Sequence, residues 1–240
     1  MTGFIGNQYD AASSFEVLGI DRAPGGWLVA RMSGAAVALQ LYPTISEVVS
    51  QSTGPIAIDM PIGLTDTGPR PCDKAARACL PRSRRSSIFA PPRRYMLGLD
   101  YAEANAAGRR REGIGLSRQA WHLGRQIKEL DAALTPAMQD RIVETHPELI
   151  FHALNDGVEV PRKKSREGLI ARHRLLMAAG LPDPEPLLTQ YPRRLVKPDD
   201  VMDALACADV ARRHASDAVC LTGALKPVRD SRGLRMEMWY

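Results

Sequence analysis

The chain has 240 residues, 45% of them hydrophobic, and a formal net charge of +5 at pH 7. This length and composition predict one α/β domain with a real core and exclude wholesale disorder. The positive charge is compatible with an anionic partner such as nucleic acid, and equally with a solvated surface rich in arginine.

The N-terminal residues 1–14 are polar and rich in small residues, and they are predicted to form a flexible tail before a single domain over residues 15–240. This segment lacks the basic and apolar regions of a signal peptide, and no run of about 18 apolar residues occurs. The four cysteines form no C-x-x-C pair, which argues against a zinc site or a disulfide framework. We therefore expect a reduced, cytoplasmic protein that does not enter a membrane.

The first part of the chain is typical of an antiparallel meander. Apolar runs at residues 15–21, 27–32 and 35–42 are separated by turn residues and predict three strands. Thr44 is expected to cap a short helix, with Glu47 completing a capping box. A fourth strand is predicted at residues 55–59, which makes a mixed sheet with a parallel partner for the first strand.

The middle of the chain, about residues 65–139, is rich in arginine and is predicted to be a helical insertion packed over one edge of the sheet. Its helices are expected at residues 72–80, 100–111 and 117–134, with a basic loop at residues 82–94.

The last part returns to alternating strands and helices. A fifth strand is predicted at residues 141–145 and a helix at residues 147–155. A basic loop leads to another helix that ends near Gly180, and a proline-rich segment follows. Asp199 or Asp200 is expected to cap a helix that runs to about Arg213, and residues 236–239 are expected to form an edge strand.

Four acidic residues follow buried strands or open a buried helix, where an isolated carboxylate is costly. They are Asp21, Asp59, Glu144 and Asp203. Because the carboxyl ends of neighbouring parallel strands meet at one edge of a sheet, we expect these side chains to converge. Carboxylate oxygens are the preferred ligands of hard divalent cations, so the pattern predicts a Mg²⁺ or Mn²⁺ site with one or two ions.

Further candidates surround this predicted site. Asp200 lies near Asp203 on the last helix, and Glu148 shares one side of an extended segment with Glu144 and His146. His146 is a candidate general base or phosphate contact, although a structural histidine fits as well. Basic and polar candidates for substrate binding are Arg77, Arg93, Gln119, Lys128 and Lys164.

Several segments, taken in order, resemble the family called domain of unknown function 429, often described as predicted nucleases of RNase H fold. These segments are GID (19–21), GGW (25–27), IDMPIGL (58–64), RPCDKAAR (70–77), SSIFAPPR (86–93), SRQAW (117–121), ETHPELIF (144–151) and DDVMDALACA (199–208).

The resemblance implies an RNase H-like core with the order βββαβαβα and a five-stranded mixed sheet. In such folds the catalytic acids come from the first strand, the fourth strand and the last helix, and Asp21, Asp59 and Asp203 match these places. The D-x-x-D pair of Asp200 and Asp203 is similar to the last helix of Holliday-junction resolvases. Those enzymes commonly carry glutamate in the fourth-strand region, where this chain has Asp59.

Three functions remain open from the sequence. The first is a metal-dependent nuclease that hydrolyses phosphodiester bonds in nucleic acid. The second is a non-catalytic module that binds nucleic acid or protein on the same fold. The third is an actin-like or sugar-kinase-like phosphotransferase, which requires a duplicated domain and glycine-rich phosphate loops in both halves.

Overall fold

Five strands form one mixed sheet at the centre of the computed structural model, which describes residues 16–240. The strands are β1 (Val17–Ala23), β2 (Gly26–Ser33), β3 (Ala36–Tyr42), β4 (Ile56–Ile58) and β5 (Ile142–Glu144). Their order is β3-β2-β1-β4-β5, with β1, β2 and β3 antiparallel and with β4 and β5 parallel to β1. The predicted five-stranded mixed sheet is confirmed, whereas the predicted tail at residues 1–14 lies outside the described residues.

The α-helices of the described residues lie close to their predicted positions. They are α1 (Ile45–Gln51), α2 (Pro71–Cys79), α3 (Tyr101–Glu112), α4 (Arg118–Ala133), α5 (Pro147–Leu154), α6 (Arg166–Ala178) and α7 (Pro198–Arg213). None of these helices has the length and apolarity needed to cross a membrane.

The two faces of the sheet are covered by different helices because side chains alternate along each strand. Leu18 and Ile20 belong to an apolar cluster with residues of α1 and α4. Val17 and Ala57 belong to the cluster formed with α7. Every residue of α7 from Asp200 to Ala211 is buried, so this helix is the central element of its layer.

Helix α4 corrects the prediction that the insertion packs over an edge of the sheet. Ile127 and Leu130 of α4 lie in the core cluster on one face of the sheet. The Glu129 carboxylate accepts hydrogen bonds from Trp27 Nε1 of β2 at 3.2 Å and from the Ile45 backbone N–H at 2.6 Å. The physical reason is topological: parallel strands β4 and β5 need a crossover element, and α4 supplies it.

One predicted N-cap residue is confirmed and the other is wrong. Thr44 is the N-cap residue of α1 as predicted, but the capping box with Glu47 does not form. The Thr44 hydroxyl donates to the Glu47 carboxylate at 2.9 Å, and the Glu129 carboxylate accepts from the first backbone N–H of α1 instead. Pro198 occupies the first turn of α7, which moves its N-cap back to Lys197. Asp200 therefore lies inside the first turn, where its Oδ2 accepts a hydrogen bond from the Lys197 backbone N–H at 2.8 Å.

The C-terminal segment forms two small ribbons. They pair β6 (Cys220–Leu221) with β9 (Met238–Trp239), and β7 (Val228–Arg229) with β8 (Arg235–Met236). The predicted edge strand at residues 236–239 is thus divided between β8 and β9. A parallel bridge between Trp239 and Thr145 attaches this segment beside β5 at the edge of the main sheet.

Gly19 of β1 determines how closely α7 approaches the sheet. A Cβ atom at this position would lie 2.0 Å from the backbone nitrogen of Ala208 and 2.1 Å from the carbonyl oxygen of Ala204. These contacts are to backbone, which cannot rotate away as a side chain can. The absence of a side chain at Gly19 and the small residues of α7 therefore bring the helix backbone into contact with β1.

Candidate metal centre

Asp21 and Asp59 lie side by side where the parallel pairing of β1 with β4 ends. The last parallel pair is Ile20 with Ile58, and the Asp59 N–H continues the ladder by donating to the Ile20 carbonyl at 2.9 Å. Asp21 lies inside β1 rather than at its end, because β1 stays paired with β2 for two residues more. By strand alternation both aspartates point to the face covered by α7.

Asp203 approaches the same place from the first turns of α7. Its side chain is fully buried, and Oδ2 accepts a hydrogen bond from Lys163 Nζ at 2.6 Å. Its Oδ1 is also buried and has no hydrogen-bond partner within residues 16–240. An unpartnered carboxylate oxygen in such a place is costly unless a cation or water completes it.

The three carboxylates repel one another electrostatically. Burial raises the pKa of Asp21 well above its usual value, and the charges of Asp59 and Asp203 raise it further. Burial also raises the pKa of Asp59, and it raises the pKa of Asp203 to about 6 although Lys163 opposes this shift. Burial alone would lower the pKa of Lys163, but the Asp203 carboxylate outweighs this effect and raises it. Lys163 and Arg22 thus face three acids, which leaves an excess of negative charge.

Glu144 does not join this cluster. It is the last residue of β5 and follows the alternation of Ile142, so it points to the opposite face from Asp21 and Asp59. Its two oxygens accept hydrogen bonds from the Arg70 guanidinium and from the Ile62 backbone N–H. Arg70 is itself buried and also pairs with Asp73. The structure therefore gives Glu144 an ion pair that holds the chain after β4, although Glu144 lines the same cleft as Asp21 and Asp59. Its predicted metal and catalytic role stays a prediction.

Three other acidic and imidazole candidates are held by neighbouring groups. The Glu148 carboxylate accepts from the buried Arg172 at 2.6 Å, and its charge adds to the field at Asp59. His146 caps α5 through Nδ1, which accepts from the Glu148 backbone N–H at 3.2 Å, and its Nε2 lies 3.3 Å from the Ser87 carbonyl. The Asp200 carboxylate accepts a hydrogen bond from the Lys197 backbone N–H, and its only effect on Asp21 is electrostatic: its negative charge raises the pKa of Asp21.

The predicted substrate-binding residues are scattered rather than brought together. Arg77 donates to the Ile88 carbonyl at 2.9 Å, and Arg93 pairs with Glu112, so both hold the loop between α2 and α3. Lys128 lines a separate apolar pocket in the insertion, and Lys164 is exposed. Of the five, Gln119 alone lines the cleft above the three aspartates.

Lys163, rather than the predicted Lys164, is the lysine of this basic loop that contacts the aspartates. It belongs to the same basic run as Lys164, and the loop before α6 has no periodicity that distinguishes the two. Its ammonium bonds to Asp203 and lies 3.9 Å from Asp199. The only signal in the sequence was the position of the run itself, which does not show which lysine turns inward.

A cleft of about 300 Å³ lies over the cluster, with Asp21, Asp59, Asp203 and Lys163 at one end. Polar residues that include Glu144, His146 and Glu148 line another part of it, and the rest of its wall is apolar and comes in part from the insertion. These wall residues are Ile88, Phe89, Leu123, Met60, Pro61 and Pro147. The insertion therefore forms one side of the candidate site.

Within residues 16–240, no three carboxylate, imidazole or thiol side chains are already arranged as the ligands of one ion. The donor set nevertheless fits a hard divalent cation. Asp203 offers an unpartnered buried oxygen, and the surplus negative charge of Asp21 and Asp59 is of the kind that such a cation neutralises. Lys163 holds the other oxygen of Asp203, Oδ2.

Comparisons with known proteins identify a family but no activity. The family model described as "Protein of unknown function (DUF429)" matches residues 19–226. No curated protein and no solved structure matches the chain significantly. Because the matched segment includes β1, the insertion and α7, and covers most of the chain, the protein belongs to the DUF429 family.

Proposed function

We propose that the protein is a divalent-metal-dependent nuclease that hydrolyses phosphodiester bonds of nucleic acid on an RNase H-like fold. The observation that carries this proposal is the meeting of Asp21, Asp59 and Asp203 at the end of the parallel pairing, with one oxygen of Asp203 left unpartnered. The strand order and the crossover helix α4 support the fold assignment, since the sheet and its helices follow the order βββαβαβα when the consecutive helices after β4 and after β5 are each counted as one layer element.

In this proposal Asp21, Asp59 and Asp203 hold Mg²⁺ or Mn²⁺. A bound ion of this kind supplies an activated water and neutralises charge on phosphate oxygens. Lys163, once released from Asp203, offers three N–H donors to a phosphate oxygen of the substrate. The apolar wall at Ile88, Phe89 and Leu123 excludes bulk water from the same cleft, which strengthens these interactions.

The direct test is turnover of a panel of DNA and RNA oligonucleotides with Mg²⁺ or Mn²⁺. We expect cleavage by the wild-type protein that stops with EDTA and falls at least about 100-fold in Asp59→Asn, because this substitution removes a ligand and keeps the side-chain volume. Cleavage that survives both EDTA and Asp59→Asn would contradict the proposal.

A non-catalytic binding role is the second candidate. The salt bridge between Lys163 and Asp203 favours it, because this lysine already gives the most buried acid a counter-ion within the chain. Nucleic-acid binding that is unchanged by EDTA, together with no cleavage of the panel, is the result expected for this role.

Removing Lys163 tests whether this lysine competes with a metal ion for Asp203. We expect Lys163→Met to bind Mn²⁺ at least about tenfold more tightly than the wild-type protein at pH 8, because a positive charge beside the ligands is lost. Calorimetric titration measures the change, and Lys164→Met is the matched control because that neighbouring side chain is exposed. Equal affinities in all three proteins would show that Lys163 does not compete with the ion.

The raised pKa values also predict a pH dependence. A metal binds the deprotonated carboxylates, and the pKa of Asp203 is raised to about 6 while that of Asp21 is raised well above 3.8. The Mn²⁺ affinity should therefore be weak at pH 5, rise as the pH passes 6, and level off once all three acids are ionised. Titration calorimetry in buffers of different ionisation enthalpy should detect proton release at pH 6, and an affinity independent of pH between 5 and 8 would contradict these shifts.

A further inference from the structure

We infer that the cleft receives one unpaired nucleotide of a single-stranded nucleic acid, with its phosphate at the three aspartates and its base against Phe89. This inference rests on the proposed function for the phosphate end of the cleft. It goes further in naming the strand form of the substrate and the residue that recognises the base.

The aspartates of the site are deeply buried. Asp203 is 0% exposed and Asp21 is 7% exposed, so both lie at the floor of the cleft. A phosphate has to enter the cleft to approach them. A paired duplex holds its phosphates on a broad, stiff surface, and the wall formed by Ser87, Ile88 and Phe89 stands on one side of the acids. An unpaired strand bends and can turn a single phosphate inward.

The cleft has both a charged surface and an apolar surface. Asp21, Asp59, Asp203 and Lys163 line one part of the cleft, and Ile88, Phe89 and Leu123 give another part of it an apolar surface. A nucleotide has the same two kinds of surface, a charged phosphate and a flat base with an apolar face. The volume of about 300 Å³ suits one such unit and not a base pair.

The ring of Phe89 lies between two cavities, where it can contact the bases of two neighbouring nucleotides. Phe89 is half-buried, and its ring packs between the core cluster of the sheet and a smaller cluster in the insertion. It lines the cleft on one side and a second cavity of about 340 Å³ on the other. Gln119 lines both cavities as well, and its amide has donors and an acceptor for a base edge.

The second cavity favours a strand over a free nucleotide. It continues from Phe89 and Gln119 along the insertion, with Pro91, Leu116 and Ser117 in its lining. A chain that places one phosphate at the aspartates therefore has a path for the next unit. Stacking on an aromatic ring tolerates any base, which is the usual way that proteins hold single strands without reading sequence.

The net negative charge at the aspartates also affects how a phosphate binds in the cleft. Asp21, Asp59 and Asp203 outnumber Lys163 and Arg22 at the phosphate end, so a phosphate is repelled there until a divalent cation is bound. Binding in the cleft should therefore require a divalent cation. Binding of nucleic acid to arginines on the protein surface needs no divalent cation, so dependence on the cation distinguishes binding in the cleft from binding to the surface.

The test is fluorescence anisotropy with a labelled short oligonucleotide, as a single strand and as the matching duplex, with Ca²⁺ replacing Mg²⁺ to suppress turnover. We expect the single strand to bind at least about tenfold more tightly than the duplex and than a mononucleotide. Phe89→Ala should weaken single-strand binding about tenfold, and Phe89→Tyr should retain it. Phe89→Leu keeps an apolar side chain without the ring, so it also should lose affinity while its melting temperature stays near that of the wild type.

The outcomes separate this inference from the proposed function. Cation-dependent binding that prefers the duplex, or that is unchanged in Phe89→Leu and Phe89→Ala, would overturn the inference alone. A mononucleotide that binds as tightly as the strand would overturn the assignment of a strand substrate. Single-strand binding that depends on Phe89 but is unaffected by EDTA and by Asp59→Asn would support the base wall and contradict the proposed metal site.

Discussion

The double variant Asp21→Asn/Asp203→Asn is expected to lose Mn²⁺ binding by at least about 1,000-fold and to have no metal-dependent turnover. These residues contribute two of the three carboxylates, and the unpartnered Oδ1 of Asp203 is the oxygen most available to an ion. Asparagine keeps nearly the same volume but removes the charge that attracts a hard cation. Calorimetric titration of the metal-free protein gives the affinity, and an oligonucleotide assay gives the turnover.

The fold of the double variant should survive. Burial raises the pKa values of both acids, which means that their charged forms destabilise the folded protein. Neutral side chains remove this repulsion but also take the carboxylate partner from Lys163, so the metal-free melting temperature near neutral pH should change little. Loss of binding together with a large fall in melting temperature would point to unfolding rather than to lost ligands.

Glu144→Gln is the matched control. It removes a buried carboxylate of the same sheet edge, but on the opposite face and paired with Arg70. We expect Mn²⁺ affinity within about threefold of the wild type and a loss of stability, since Arg70 would keep only Asp73 as an ionic partner. A complete loss of Mn²⁺ binding in Glu144→Gln would restore this residue to the metal site and count against the separation of Glu144 from the three aspartates.

The contrast between Glu144 and the aspartates shows how far the sequence could lead. Apolar runs and turn residues were enough to predict the strands, and the position of an acid directly after an apolar run was enough to select Asp21 and Asp59 as candidates. The same reasoning selected Glu144, although a shift of one residue along a strand turns a side chain to the other face. The face of a three-residue strand such as β5 is decided by its neighbours in the sheet, which the local sequence does not specify.

Contacts between distant parts of the chain account for most of what the sequence did not reveal. Arg70 and Glu144 are 74 positions apart, so no local pattern announces their ion pair. Lys163 and Lys164 are chemically identical neighbours, and the loop conformation alone decides which one meets Asp203. The face covered by α4 depends on the crossover between β4 and β5, and the composition of the insertion does not encode it.

Gly19→Ala is expected to lower the free energy of unfolding by at least about 3 kcal/mol. A Cβ at this position would lie 2.0 Å from the Ala208 nitrogen and 2.1 Å from the Ala204 oxygen, and the conflict is relieved only if α7 moves away from β1. Denaturant unfolding monitored by circular dichroism measures the loss. Gly124→Ala is the matched control, because a Cβ added there would have no neighbour within 4 Å and the residue stands in the middle of α4. That control should gain about 0.5–1 kcal/mol.

The same substitution connects the fold to the site. Asp203 and Ala204 are consecutive on α7, so a helix that retreats from Gly19 also carries Asp203 away from Asp21. The Mn²⁺ affinity of the Gly19→Ala protein, measured under conditions where it remains folded, should therefore fall at least about tenfold, while Gly124→Ala keeps the wild-type value. A Gly19→Ala protein with reduced stability but unchanged Mn²⁺ affinity would show that the carboxylates adjust independently of the close contact between α7 and β1.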